Sequence, residues 1–386
     1  MDVHAQRGPA RHLANVPDPR AANVTYRLFD LLLILLLAVL CRAEDYEEVA
    51  DWAEQRSDWL ATFLHLPKGT PCAMTFERIM RRLSPAALQR AMIAMTRDLA
   101  GVSKGRLTPV DGKTLRGSFD QAGRLSPIHL VQAWDHANGM VLGQLATDAK
   151  SNEITAVMAL LEMLDLKDAV VSLDAMHCQK QTAEKIVEKE ADYLIAVKDN
   201  QPTLRQDIQL FFDDAIEQDW DGMPRVEHEQ VDSGHDRLEV RRLWASNQVD
   251  WLQQQGHKWA GLKGIVCVES ERTTFADGKT AKTRRYYITS LDPQTVGAEH
   301  LLAYVRGHWS IENTLHWSLD VTFREDASRV RKDHGPENLA AMRRMALGLL
   351  KRTQPKTRSG RRVAIKRRRL IAGQNDAYLL NVITGE

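Results

Sequence analysis

The stretch Asp168–Gln201, "DAVVSLDAMHCQKQTAEKIVEKEADYLIAVKDNQ", decides the fold. A short apolar run, Val170–Leu173, ends on Asp174, and the helical pattern "QKQTAEKIVEKEA" follows. A second apolar run, Tyr193–Val197, then leads to Lys198 and Gln201. Two short β-branched runs joined by a helix read as a strand–helix–strand crossover, whose strands lie parallel.

The upstream pattern extends this unit. "NEITAVMALLEML" reads as a helix, and "HLVQAWDHANGMVLGQLATD" as a hairpin turning at Asn138-Gly139. "GRLTPVDGKTLRGSF" reads as a first strand ending at Asp111. Strand, hairpin, helix, strand, helix, strand is the pattern of a mixed α/β sheet. Asp111 and Asp174 then stand at strand ends, where open α/β sheets bind ligands, although an acid there also starts turns and caps helices.

Downstream, a helix to Asp214 precedes the strand-like pieces "RLEVRRLWAS", "GIVCVESERTTF" and "RRYYITSL", the last two joined by a turn at "ADGKT". Together they predict a β-rich insertion over about residues 203–298. "RGHWSIENTLHW", Arg306–Trp317, follows as a helix, and "GPENLAAMRRMALGLLK" closes the pattern with Pro336 in its first turn. On the first of these helices Ile311, Leu315 and Leu319 make an apolar stripe beside a polar one of His308, Glu312 and His316. The polar stripe has three readings: a solvated face, a zinc site, or one acid of an oxygen-ligand metal site. Trp309, Asn313 and Trp317 read as a packing stripe, with base stacking as the alternative.

Residues 1–25 read as a loose arm, and residues 26–103 as a helical domain. Its three predicted helices are "YRLFDLLLILLLAVL", "YEEVADWAEQRSDWLATFL" and "TFERIMRRLSPAALQRAMIAM". The apolar run Leu31–Cys41 falls short of the roughly 20 residues a bilayer needs, so a buried core helix is expected and no membrane segment. At 386 residues, 44% apolar and 27% charged, the chain has the composition of a soluble globular protein with room for several domains. Its four cysteines are scattered, which argues against a disulfide framework or zinc knuckle and for a cytoplasmic protein. The net charge of +1 hides segregation. Lys351–Arg369 holds ten Lys or Arg and no acid, leaving about −9 for the rest. This basic tail, within residues 351–386, is expected to grip DNA phosphates regardless of sequence.

Two acids on adjacent strands facing a third on a returning helix repel one another unless a cation neutralises them. All-oxygen ligands favour Mg2+ or Mn2+ over zinc, which points to two-metal phosphodiester chemistry.

"VDGKTLRGS", "SNEITAV", "VVSLDAMHCQ", "DYLIAVKDNQ" and "HWSIENTLHWSLDVTFREDASRVR" together resemble the DDE transposases of bacterial insertion sequences, in the branch of the H-repeat-associated proteins. The resemblance runs from about Tyr26 to Lys351, and its helical part is similar to that branch's transposase-associated N-terminal domain. It implies a ribonuclease H-like catalytic domain over residues 104–350, interrupted by the β-rich insertion. By motif match, Asp111, Asp174 and Glu312 take the catalytic and metal-ligand roles, with Mg2+ (or Mn2+) as cofactor. Where the wider family often carries Tyr, Arg and Lys around its Glu, this chain holds Val305, His308 and Leu319, with Tyr304 and Arg306 close by.

Lys113, Arg116, Lys198, Gln201, Arg306 and His308 are the candidate DNA contacts. The expected partners are the element's terminal inverted repeats, target DNA and a second copy of the chain in a synaptic homodimer at the nucleoid. The function so implied is cleavage at the element's ends followed by joining of the 3′-hydroxyls to target DNA. A metal-dependent nuclease that never joins, and a non-enzymatic DNA-binding remnant, are the alternatives.

Overall fold

The computed structural model describes residues 8–100, 105–119, 126–147, 153–234, 236–355 and 361–385. Helix α1 (Leu28–Leu40) carries the apolar run, and every residue from Leu31 to Leu40 is buried. Its one charged side chain, Asp30, is buried too, but Arg27 answers it at 2.7 Å from one turn earlier. Among the described residues no helix is long and apolar enough to cross a membrane.

Each of the next two predicted helices is divided. The first becomes α2 (Tyr46–Glu54) and α3 (Ser57–Ala61), parted at a site with no Gly or Pro for a sequence reading to catch. The second becomes α4 (Ala73–Arg82) and α5 (Pro85–Ala100). There Leu83 turns extended, and Pro85, unable to donate a helical hydrogen bond, opens the new helix.

Strand β1 (Leu107–Thr114) is followed by the hairpin β2 (His129–Asp135) and β3 (Met140–Thr147), then α6 (Glu153–Met163), β4 (Val170–Leu173), α7 (Lys180–Glu188) and β5 (Asp192–Val197). The predicted order is thus present. The hairpin closes through a four-residue loop with Asp135 opposite Met140. The Asp135 carboxylate accepts the Asn138 N–H at 3.0 Å, and Gly139 takes a positive φ of 67° that suits a residue with no side chain. Then come α8 (Pro202–Glu217), β6 (Val226–Gly234), β7 (Arg237–Ser246), α9 (Asp250–Gln254), β8 (Gly264–Thr274), β9 (Thr280–Thr289), α10 (Pro293–Val296), α11 (Ala298–His308), α12 (Gly335–Arg352), α13 (Ile365–Gln374) and α14 (Asp376–Thr384).

The chain forms two compact units. One holds α1–α5, the β2–β3 hairpin and α12–α14; the other holds β4, β5, β6–β9 and α7–α11. The division passes through β1 between Asp111 and Gly112, and through α6.

In the first unit α12 is the hub. Its residues Asn338–Leu350 are buried, and it packs on α1, α4, α5 and β3. The N-terminal helices fall in one compact unit with the hairpin and the closing helix. Two further expectations change here. Pro9–Asn15, read as part of a loose arm, is a 3₁₀ turn with Ala10 and Leu13 fully buried; residues 1–7 of that arm lie outside the described residues. The basic segment folds as well. Arg368 and Arg369 are buried, and they donate to the backbone carbonyls of Val363 and Leu350, and of Val39 and Thr322. These two guanidiniums tie helices together and are not offered to DNA. Lys356 and Arg358 of the same segment lie outside the described residues.

The second unit is built on seven strands in the order β1-β4-β5-β9-β8-β7-β6. β1, β4 and β5 run parallel, and the remainder pairs antiparallel. The β-rich segment read as an insertion continues this sheet, since β9 pairs directly with β5, Leu194 opposite Thr289. β6, "VEHEQVDSG", had no apolar alternation to reveal it, and as the outer strand it has no buried residue. Leu301, Leu302 and Val305 of α11 pack onto Leu107, Val170, Leu194, Val266 and Tyr287 of the sheet.

The most constrained charge lies in the first unit. Glu325 and Arg344 are fully buried and paired at 2.7 Å, and Arg344 also donates to Gln132 and to the Ala340 carbonyl. Burial works against the Glu325 carboxylate, but the Arg344 guanidinium outweighs it and holds its pKa below the usual range. Breaking such a pair leaves a buried charge uncompensated. Glu325→Gln is therefore expected to cost about 3–5 kcal/mol in urea unfolding at neutral pH, and the Glu325→Met, Arg344→Met pair of changes much less. Because the folded pKa is depressed, the Glu325 contribution is present above the unfolded pKa and disappears as pH falls through the folded one.

Candidate functional site

The parallel ladder between β1 and β4 sets the site. Its last registered pair is Val110 opposite Leu173, so the next residues along the two strands are Asp111 and Asp174. Asp174 keeps an extended backbone, φ −71° and ψ 165°, before the chain turns into a short 3₁₀ segment. Register partners on parallel strands project to the same face about 4.8 Å apart, and the step beyond the last such pair carries Asp111 on one strand and Asp174 just past the other. Asp111 itself lies within β1 and not at its end, a difference from the expected position.

Around Asp174 the second unit forms a cavity of about 240 Å3. Lys198 donates to the Asp174 carboxylate at 2.9 Å, with the two side chains 57% and 50% exposed. Burial works against the charged form of Asp174, but the hydrogen bonds from Lys198 and the Ala175 backbone prevail and lower its pKa. His308 reaches the same cavity from the end of α11, where it follows the buried stripe of Leu301 and Val305. Its Nδ1 meets the Ser172 hydroxyl at 3.0 Å, and burial pulls its pKa down to about 4.

The other candidate contacts divide. Lys198 lines the cavity and is paired with Asp174. Gln201 donates to the Cys178 carbonyl at 2.9 Å and braces the loop. Arg306 is exposed and pairs with Asp232 at 3.2 Å. In the first unit Arg116 is 83% exposed. Lys113, expected to touch DNA, is buried instead, its ammonium held by Asp320 at 2.7 Å and Asp326 at 3.3 Å. His308 cannot supply a positive charge to a phosphate at neutral pH, because burial keeps it neutral.

Glu312 is exposed at the start of a π-helical stretch, Ile311–His316, and the apolar stripe Ile311, Leu315 and Leu319 is buried as predicted. Trp309 and Trp317, read as packing residues, are 40% and 57% exposed. Among the described residues no group of three or more His, Cys, Asp or Glu side chains is gathered to hold a metal, which counts against the zinc reading of His308, Glu312 and His316 and equally leaves Asp111, Asp174 and Glu312 ungathered. Burial also depresses His316, to about 3. The donors at the paired acids are carboxylate oxygens, a set that suits a hard divalent cation, and Asp174 already binds a cationic group.

The family described as "Transposase DDE domain" matches residues 103–349. The chain belongs to this transposase family. The "DDE_Tnp_1-associated" family matches residues 10–96, the N-terminal helices. Among curated relatives of this transposase, "Putative transposase YncI" of Escherichia coli O157:H7 is 35% identical over 96% of the chain and 93% of the relative. "H repeat-associated putative transposase YhhI" of Escherichia coli K12 is 34% identical over 97% of both. A piggyBac transposase in a synaptic complex with hairpin DNA, solved by cryo-EM, covers 98% of the chain and 79% of its own at 10% identity, with a TM-score of 0.41.

Sequence reasoning missed Ser172, Arg284 and Arg285, which also line the cavity. Ser172 sits inside an apolar run, and the arginines look like ordinary strand charges. Only the partner strands reveal them.

His308 generates a pH test. Its folded pKa lies below the unfolded value near 6.5, so the unfolded state binds the extra proton between about pH 4 and 6.5. Stability attributable to His308 is present above that window and declines as pH falls through it. Its ring resonances should titrate near pH 4 in NMR spectra; a midpoint above 6 would show a solvated ring. In Lys198→Ala the Asp174 pKa should rise.

Proposed function

We propose that this transposase cleaves DNA at the ends of its element and joins the freed 3′-hydroxyls to target DNA. The observation that supports the reading is the parallel register of β1 and β4, whose last pair, Val110 and Leu173, immediately precedes Asp111 and Asp174. Glu312 is the third acid by motif match. These carboxylates would hold Mg2+ (or Mn2+), which when bound supplies Lewis-acid activation and charge neutralisation at the scissile phosphate.

The reaction balances as two displacements at phosphorus. Water attacks the phosphodiester at the element's end, a new P–O bond forms, and the bridging bond breaks to leave a 3′-hydroxyl. That hydroxyl then attacks a target phosphodiester, and the target strand's own 3′-oxygen leaves with a proton. Lys198, hydrogen-bonded to Asp174, keeps the carboxylate ionised and sets its orientation. Neutral His308, fixed through Ser172, presents an uncharged ring beside it, which preserves the negative potential a cation needs. A second copy of the chain would hold the other end in the synaptic complex.

The test uses the full chain, Mg2+ and duplexes carrying the DNA that flanks the gene. Asp111→Asn, Asp174→Asn and Glu312→Gln should each lower cleavage and joining by more than about 100-fold, beyond the cost of losing an outer partner of a metal ligand, while end binding persists. His308→Ala and His316→Ala should do less. Cleavage by Glu312→Gln near the wild-type rate would refute its role and make Asp320 the next candidate, because Glu325 is fully buried with Arg344 whereas Asp320 is partly exposed. Hydrolysis without joining by the wild type would identify a nuclease; binding alone would identify a remnant.

A further inference from the structure

Four cationic side chains line the cavity that holds Asp174, and three of them are answered by carboxylates. Lys198 pairs with Asp174, Arg205 with Asp199, and Arg284 with Glu269 and Asp213. Arg285 differs. Among the described residues no carboxylate pairs with it. Its guanidinium lies 5.1 Å above the ring of Trp309 and beside the buried Tyr287.

The strand register sharpens the anomaly. β5 and β9 pair as far as Val197 opposite Tyr286, so the next residues on the two strands are Lys198 and Arg285. Like charges placed opposite each other on paired strands are destabilising unless an anion stands between them. Asp174 answers Lys198 only. Arg285 is exposed, so its ordering comes from the Trp309 face, an expenditure of side-chain entropy that a merely solvated arginine does not make. A fixed, planar guanidinium with free donors is the group that recognises a phosphate through two parallel hydrogen bonds.

We infer that Arg285, held against Trp309, binds a DNA phosphate at the mouth of the Asp174 cavity. This supplies a basic residue from β9, a strand the sequence reading had set apart from the catalytic core. The inference rests on the proposed DNA chemistry only in that the ligand is a phosphodiester. The anion can come from the strand at the element's end or from target DNA, and both present the same group.

Two labelled duplexes separate these sources: one of arbitrary sequence, and one carrying the DNA that flanks the gene. With the full chain, Arg285→Ala should weaken binding roughly 10-fold near 0.1 M salt, as loss of a charged hydrogen bond does. It should also flatten the log–log salt slope by about 0.9, the contribution of one phosphate. Arg285→Lys should restore the slope more than the affinity, since it keeps the charge and loses the fork. Trp309→Ala should lower affinity with a smaller change in slope.

Loss confined to the flanking duplex assigns the phosphate to the element's end, loss confined to the arbitrary duplex assigns it to target DNA, and loss on both makes it a general grip. Unchanged affinity and slope on both duplexes overturns the inference. Because these readouts are binding constants, they stand or fall separately from the Asp111, Asp174 and Glu312 assignments, which are read in cleavage.

Discussion

The ladder between β1 and β4 is the constraint on which the candidate chemistry depends. Four parallel pairs, from Leu107 opposite Val170 to Val110 opposite Leu173, fix the register, and the acids fall on the very next step. A shift of one residue on either strand would turn one carboxylate to the opposite face. The apolar side chains hold that register against the α11 stripe, so hydrophobic packing, which has no direction of its own, determines where two charges meet. His308 belongs to the same stripe. Its burial is the continuation of core packing up to the rim of the cavity.

The first unit handles charge in the opposite way. Its buried guanidiniums are met by carbonyls and by one carboxylate, although the Nε of Arg369 has no hydrogen-bond partner. Arg344 has Glu325, Gln132 and Ala340, and Arg369 has Val39 and Thr322. A segment that composition alone presents as a cationic tail is partly internal wiring. Arginine can serve so because its fork spreads one charge over several donors, each of which can meet a different acceptor.

What could be read from the sequence follows the strength of the local signal. The crossover from β4 through α7 to β5 was legible because short apolar runs flank a helical pattern, and the hairpin because Asn138 and Gly139 stand between two apolar strands. The adjacency of the strands that lead to Asp111 and Asp174 was legible, whereas the continuation of β1 past Asp111 was not. The breaks at Arg56 and β6 were not legible, the first for want of a breaker residue and the second because an outer strand of alternating polar residues has no apolar face. Lys113 was misread because its partners, Asp320 and Asp326, lie some two hundred residues away. Long-range partners are invisible to periodicity, and they decide whether a cation is structural or available.

The helix that carries Glu312 has a further consequence. Ile311, Leu315, Leu319 and Phe323 are all buried at strict four-residue intervals. In an α-helix each such interval overshoots a full turn by about 40°, so the fourth member would have swung well away from the first. The π-helical stretches Ile311–His316 and Ser318–Thr322 hold more residues in each turn and cancel that drift, leaving Trp317 and Val321 outside. Substitutions that keep the four apolar side chains preserve this arrangement, whereas loss of one residue would change the phase of everything beyond it. When relatives are aligned, a single gap in this segment therefore decides which acid is matched to Glu312. The geometry of the segment depends on residue count more than on residue type.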